Sequence, residues 1–319
     1  MNVLITGGAG FIGSHLTKLH LKKGDYVIVI DNLSTGSKNN INELLNNKNF
    51  KFIHNDVLTF DFKLLNFNLN LIYHLASPAS PNHHSLISYH HLAKETMLVN
   101  TLGTLKLLEL TKKHQAKFLF ASTSEIYGNP LIHPQKEPYF GNVNPIGPRA
   151  VYDEAKRFGE TLTSYFWNKE KVDARIARIF NTYGPNMRID DKRMIVNFIC
   201  QALKDEPITI YGNGKQTRSL CFVDDLIDGL FKLMINKNTK SEVVNLGNPE
   251  EHTILEYAQI IKKLTNSKSE IIFKEPLPAD DPEKRCPDIS KAKKLLSWQP
   301  KVSLIEGLKK TINYFKNIL

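Results

Sequence analysis

The residue types best suited to moving a proton fall in two stretches, Ser122-Thr123-Ser124-Glu125-Ile126-Tyr127-Gly128 and Tyr152-Asp153-Glu154-Ala155-Lys156. Tyr152 and Lys156 are four apart, so a helix would place both side chains on one face. An ammonium beside a phenol favours phenolate, because an opposite charge stabilises the ionised form. Bringing a tyrosine from about 10 to about 7 takes roughly 4 kcal/mol, which demands a dry, preorganised site. Thr123 adds a hydroxyl able to hold the same substrate oxygen. Together they read as a proton-abstraction device whose partner is a nicotinamide. A Y-x-x-x-K spacing alone more often marks a half-buried tyrosine near a solvated lysine. The N-terminus of the chain decides between the two.

There, residues 2–6 form an apolar strand, and Gly7-Gly8-Ala9-Gly10-Phe11-Ile12-Gly13 turns it into a helix running to about residue 23. Gly7, Gly10 and Gly13 make a G-x-x-G-x-x-G form of the dinucleotide fingerprint. Glycine permits the tight turn and close backbone approach, and the helix N-terminal amides face a pyrophosphate. A second strand over 26–30 ends at Asp31, whose carboxylate can bind an adenosine ribose and repel a 2′-phosphate. NAD is therefore expected over NADP. A third strand over 50–54 closes on Asp56, which would either meet the adenine amine or cap a helix. Residues 69–75 are a fourth strand, 92–114 a long helix, 117–121 a fifth strand with Thr123 and Glu125 at its C-terminal end, and 172–180 a further strand. Open α/β sheets place their sites at those ends. Beyond residue 181 the alternation loosens into short strands (208–210 and 220–222) and helices. Two of these helices open on the capping boxes Thr253-Ile254-Leu255-Glu256 and Ser303-Leu304-Ile305-Glu306.

Lysine and arginine number 42 against 32 acids, a net charge of +10, but the lysines are scattered as pairs near expected helix ends. No basic block alternates with aromatics, so nucleic acid is not an expected partner, while a positive field suits a small polyanion. Cys200, Cys221 and Cys286 form no C-x-x-C pair, and an odd number cannot all pair, which suggests a reducing compartment. No long apolar span and no charged leader precede the first strand, so a cytoplasmic protein without a membrane partner is expected. His83, His84, His90 and His91 lack the i, i+4 spacing of a helix-borne site and have no cysteine beside them. No metal is expected there.

With these motifs in hand, the chain resembles the extended short-chain dehydrogenase/reductase family over essentially its whole length. The closest likeness is to members that decarboxylate UDP-glucuronate. It is carried by residues 5–16, by His74-Leu75-Ala76-Ser77-Pro78-Ala79-Ser80-Pro81 and by Ala121-Ser122-Thr123-Ser124-Glu125. It continues in Asn144-Pro145-Ile146-Gly147-Pro148-Arg149-Ala150, Tyr152-Asp153-Glu154, residues 177–182, residues 244–254 and Asp280-Asp281-Pro282. Nucleotide-sugar dehydratases share the layout but carry Asp-Glu after the threonine, where this chain has Ser124-Glu125.

The resemblance implies a Rossmann-type, doubly wound parallel sheet with a smaller C-terminal α/β part. Residues 1–180 would bind NAD, with 219–247 returning to that domain, and 181–218 with 248–319 would bind a nucleotide sugar. Tyr152 would be the acid/base, Lys156 its partner and ribose contact, and Thr123 the holder of the C4 oxygen. Glu125 and Arg193 would handle the sugar's carboxylate end. Gly7, Gly10, Phe11, Ile12, Gly13, Asp31, Asn32, Ser34, Thr35, Gly36, Asp56, Val57, Leu75 and Ser77 would line the cofactor. Asn181, Asn197, Tyr211, Gln216, Arg218 and Arg285 would hold UDP. A homodimer is implied, through the residue 92–114 helix and the face of the Tyr152 helix bearing Phe158, Leu162 and Phe166. The chain departs from the family pattern in a longer stretch over 84–100, in Leu98 where a substrate-binding lysine is expected, and in Lys106 and Glu109. A 4,6-dehydratase, a 4-epimerase and an inactive NAD-binding regulator are the rival readings.

Overall fold

Val3-Leu4-Ile5 and Val27-Ile28-Val29-Ile30 are apolar at every position and fully buried, as strands must be when helices cover both faces of their sheet. The computed structural model describes residues 1–274, 282 and 284–319. Its strands, in chain order, are β1 (Asn2–Thr6), β2 (Tyr26–Asp31), β3 (Phe50–His54), β4 (Leu71–His74), β5 (Lys117–Thr123), β6 (Asp173–Ile179), β7 (Thr182–Tyr183), β8 (Ile208–Tyr211), β9 (Thr217–Ser219), β10 (Cys221–Phe222), β11 (Val243–Leu246), β12 (Glu251–Thr253) and β13 (Ile271–Lys274). Its helices are α1 (Phe11–Lys22), α2 (Ala93–Leu98), α3 (Thr104–His114), α4 (Ala150–Asn168), α5 (Met194–Leu203), α6 (Val223–Ile235), α7 (Ile254–Thr265), α8 (Ser290–Leu296) and α9 (Leu304–Lys316).

Seven parallel strands form one sheet in the order β11-β6-β5-β4-β1-β2-β3. The chain builds outward from β1 to β3, then reverses to the other side with β4, so the crevice at the switch opens above β1 and β4. Register aligns the strand ends: Thr6 lies opposite both Ile30 and His74, and Thr123 lies opposite Ile179. One face is sealed by a core that includes Leu16 of α1 and Leu226 and Leu230 of α6. The other is sealed by Leu107 and Leu108 of α3 and Phe166 of α4.

The long helix expected over 92–114 is interrupted by a π-helical turn at Val99–Gly103. At this turn Asn100 faces inward, and its amide donates to Ser77 Oγ (2.9 Å) and Thr96 O (2.8 Å). Gly159 lets α4 pack here, since a Cβ would meet Phe120 at 2.3 Å and the Asn100 carbonyl at 2.9 Å. The smaller part pairs β13 with β8 in parallel and β12 with β9 antiparallel. Thr253 and Glu256 form the full reciprocal capping box on α7, whereas at α9 only the Ser303 half is made. Trp298 Nε1 donates to Asp225 O (2.9 Å), and Val302 N donates to the Asp225 carboxylate (2.9 Å), tying the C-terminal segment to α6. Among the described residues, no helix is long and apolar enough to cross a membrane. Asp280 and Asp281 of the sequence motif lie outside the described residues.

Candidate functional site

A cavity of about 610 Å³ opens at the C-terminal ends of β1, β2, β4 and β5. At its first end, the glycine turn presents main chain. A Cβ on Gly13 would stand 2.1 Å from Gly7 O, and one on Gly7 2.6 Å from Ala76 N, so neither position holds a side chain. Gly10 caps α1 with no side-chain bond of its own, and the first turn carries no acid. That leaves amide dipoles facing the cavity, as an anionic diphosphate requires. Asp31 ends β2 with Oδ2 accepting from Ala9 N (2.9 Å) and Oδ1 from Leu33 N (2.8 Å). Burial raises its pKa against those two bonds. Asp56 accepts from Leu58 N and from Asn32 Nδ2, each at 2.7 Å, so it caps the turn after β3 while also lining the cavity. The donor set fits NAD.

Of the expected cofactor residues, Gly7, Gly10, Phe11, Ile12, Gly13, Asp31, Asn32, Ser34, Thr35, Asp56, Val57, Leu75 and Ser77 all line this cavity. Gly36 does not. Its Cβ would stand 2.9 Å from Asp31 Oδ1, so its smallness seats the carboxylate.

At the other end, Thr123, Glu125, Tyr152, Lys156 and Arg193 line the same cavity, with Asn181, Asn197, Tyr211, Gln216, Arg218 and Arg285 beyond them. The Tyr152–Lys156 pairing differs from expectation. Burial and then the Glu125 charge push the phenol above its usual range, against a hydrogen bond with Thr123 and the Arg193 charge. The lysine ammonium instead donates to Ala121 O (2.7 Å) and lies 5.0 Å over the Phe120 ring, 5.7 Å from the Tyr152 ring centroid. Burial brings its pKa down to about 7, with Glu160 opposing. The i, i+4 spacing set both on one face; the strand carbonyl then captured the nearer charge.

Glu125 has two partners to which the sequence reading did not link it. Arg149 holds Oε2 and Arg285 holds Oε1, both in charge-assisted bonds. Burial alone would raise this carboxyl, but the two guanidiniums outweigh it and hold it down to about 2. Arg193 pairs with Asp191 (3.0 Å), and its charge favours the ionised Tyr152 phenol. Arg285, expected at UDP, lines the cavity with the other expected UDP residues and also holds Glu125. Beneath it, Ser122 donates to Glu160 (2.5 Å), which pairs with Arg178 (2.8 Å), and Arg178 donates to Tyr127 (2.9 Å). Asp153 points into this charged layer, and burial followed by the Glu125 charge raises it to about 8.

Two site residues had no assigned role in the sequence reading. Arg149 stood inside a quoted motif, and its spacing gives no hint of Glu125. Tyr89, in the longer stretch, is buried with its ring stacked on Tyr152 (centroids 4.9 Å, 9°), and its hydroxyl has no partner among the described residues. No residue spacing signals such a stack. Of the three departures, only Leu98 lines the cavity, with Lys94 one turn earlier beside it. Lys106 is turned away, donating to Leu58 O (2.6 Å), and Glu109 is exposed.

The family model described as GDP-mannose 4,6 dehydratase matches residues 4–311. UDP-glucuronic acid decarboxylase 1 of Danio rerio is 52% identical over 317 residues, covering 99% of this chain and 73% of that one. The Arabidopsis thaliana protein of the same name is 49% identical, covering 99% and 70%. Among solved structures, UDP-glucuronic acid 4-epimerase of Bacillus cereus, in complex with UDP-glucuronic acid and NAD, superposes with a TM-score of 0.88 at 32% identity, over 100% of both chains.

Proposed function

We infer function from one premise: the chain belongs to the extended short-chain dehydrogenase/reductase family. On it, we propose that this protein is an NAD-dependent UDP-glucuronate decarboxylase that forms UDP-xylose through a 4-keto sugar. The observation that carries the reading is the buried Arg149–Glu125–Arg285 cluster beside Thr123 and Tyr152. Guanidiniums gathered beside Thr123 and Tyr152 suit a sugar ending in a carboxylate, which they can meet in charge-assisted bonds.

In this proposal, NAD bound along the glycine turn supplies the group that accepts a hydride from C4 and returns it. Tyr152 acts as phenolate, the form that the Thr123 hydroxyl and the Arg193 charge favour, and takes the proton of the C4 hydroxyl, whose oxygen Thr123 holds. Once C4 is a ketone, the C6 carboxylate is β to it. The C5–C6 bond breaks, CO₂ leaves, and the electron pair moves to the C4 oxygen as an enolate. Thr123 and protonated Tyr152 donate to that oxygen as an oxyanion hole. Protonation at C5 leaves a 4-keto pentose, and Tyr152 gives its proton back to the C4 oxygen as C4 is reduced again, yielding UDP-xylose. Glu125 positions Arg149 and Arg285 against the leaving carboxylate, and its own charge is neutralised there. Asn181, Asn197, Tyr211, Gln216 and Arg218 are proposed to hold UDP, and Arg193 to tune Tyr152.

We also propose that residues 1–180 with 219–247 serve NAD, and that 181–218 with 248–319 serve the nucleotide sugar. A homodimer is proposed through Met97, Leu102, Phe158 and Tyr165, exposed on adjacent faces of the α2–α3 helix and α4. Leu162 and Phe166, expected on that face, instead pack into the core. The three unpaired cysteines fit a reducing, cytoplasmic setting.

The test is mass analysis of products with UDP-glucuronate and, separately, UDP-glucose. The expected outcome is CO₂ and a product lighter by one CO₂ from the first, and no reaction with the second. An unchanged mass with inverted C4 would mean epimerisation, and water lost from UDP-glucose would mean dehydration. NAD binding with no product would mean a regulator.

A further inference from the structure

Outside the cavity, His133, Glu251 and Cys286 converge from three segments far apart in the chain. One ligand-type atom of each, an imidazole nitrogen, a carboxylate oxygen and a sulfur, lies within 4.8 Å of the other two. Among the described residues, this is the group of three that could grip a metal ion. His133 Nε2 is 2.8 Å from Glu251 Oε2, and Thr217 Oγ1 donates to Glu251 Oε1 at 2.8 Å. Cys286 is buried, with Sγ 3.4 Å from Pro249 O.

Their backbones are held independently of any ion. Gln135, fully buried, donates from its amide to Cys286 O (2.9 Å) and accepts at Oε1 from Cys286 N (2.9 Å). Its carbonyl accepts from Asp288 N (2.8 Å). Glu251 sits in β12, opposite Ser219 of β9. Cys286 and Glu251 are thus preorganised on paired main chain, and His133 lies two residues from Gln135.

We propose that His133, Glu251 and Cys286 form a binding site for a single zinc-class dication. Nitrogen, carboxylate oxygen and thiolate sulfur suit a borderline-soft, tetrahedral ion. Metal–ligand bonds of about 2.0–2.3 Å at tetrahedral angles hold ligand atoms roughly 3.3–3.7 Å apart. The His133–Glu251 pair at 2.8 Å would open slightly to reach that spacing, and no pair in the cluster is more than 4.8 Å apart. Thr217 supplies the outer hydrogen bond that orients the carboxylate. His133 and Glu251 remain partly exposed, leaving a fourth position for water. Burial, with Glu251 and Asp288, raises the Cys286 thiol to about 12 when no ion is bound. Binding forms a metal–sulfur bond as the S–H bond breaks, and that proton passes to solvent. Because Cys286 follows Arg285, the ion would also brace the segment from which Arg285 reaches Glu125.

The test titrates chelator-stripped full-length protein with Co²⁺ and then Zn²⁺. The expected result is a thiolate-to-cobalt charge-transfer band with the intense visible bands of tetrahedral cobalt, displaced by zinc. Cys286→Ser should abolish the charge-transfer band, while Cys200→Ser should retain it. His133→Gln should weaken zinc by more than the roughly 10–100-fold typical of losing an outer partner. Histidines 83, 84, 90 and 91 can collect metal without sulfur, so the sulfur band decides rather than the stoichiometry. No such band in the wild type, or the same band in Cys286→Ser, would overturn the proposal and leave a hydrogen-bonded His133–Glu251 pair beside a thiol.

Discussion

At the glycine-turn end of the cavity, the working surface is main chain. Gly7 and Gly13 leave no room for a Cβ, and the one buried charge, Asp31, is tied to the backbone amides of Ala9 and Leu33. At the other end the working surface is side chain: Thr123 and Glu125 from the end of β5, Tyr152 and Lys156 from α4, Arg149 before it and Arg285 from far along the chain. The first end is specified by shape and is intolerant of added atoms. The second is specified by balanced charge and is intolerant of altered ionisation. That difference says what kind of substitution each end should fail to absorb.

The largest effect is expected from Tyr152→Phe, which keeps the shape of the charged end and removes its proton acceptor. Turnover of UDP-glucuronate should fall by about 10²–10⁴-fold, with no NADH absorbance on mixing and with NAD binding retained. Normal oxidation of the sugar would break the contrast at its centre. Glu125→Gln comes next. It leaves Arg149 and Arg285 beside a neutral amide, and removing one partner of a buried ion cluster costs about 3–5 kcal/mol. Denaturant melts should show that loss, and single-turnover NADH formation should survive better than CO₂ release. Equal stability with wild-type CO₂ release would remove Glu125 from the account.

Gly13→Ala adds one methyl at the other end, 2.1 Å from Gly7 O. Overpacking of this kind costs about 1–3 kcal/mol, and NAD titration should register it while the pH profile of the bound enzyme stays unchanged. An unaltered NAD affinity would mean that the turn is not built to this tolerance. Asp31→Asn keeps the shape and deletes the charge, so NADP should gain on NAD by about 1 kcal/mol; equal discrimination before and after would detach specificity from this residue.

The smallest effect concerns pH. Asp153 is raised from 3.8 to about 8 in the folded chain, so the fold binds its proton more tightly than the unfolded chain does. Its stabilising contribution is complete below pH 3.8 and is lost as pH rises through about 8. Lys156, lowered from 10.5 to about 7, acts in the opposite sense: its contribution is present above 10.5 and is lost as pH falls through about 7. Thermal melts of Asp153→Asn against wild type across this window should therefore differ most at the alkaline end, with the variant losing less stability as pH rises. Parallel curves would show that Asp153 does not hold its proton.

What lay within a few residues of itself was legible from the chain alone. The strand–glycine turn–helix at the N-terminus, Asp31 at the end of β2, Thr123 at the end of β5 and the common face of Tyr152 and Lys156 all follow from periods of two and 3.6 residues and from the steric freedom of glycine. The capping box at Thr253 is equally local. Tertiary structure alone decided which cation meets which anion. Glu125 is held by Arg149, 24 residues away, and Arg285, 160 away. Lys156 is turned to the Ala121 carbonyl, Tyr89 is stacked on Tyr152, and the helix around Asn100 widens into a π turn. A helix or strand repeats at short range because its hydrogen bonds join neighbours in sequence. An ion pair or a ring stack is chosen by distance in space and by how far burial strips water from each group, and no period of the chain encodes either.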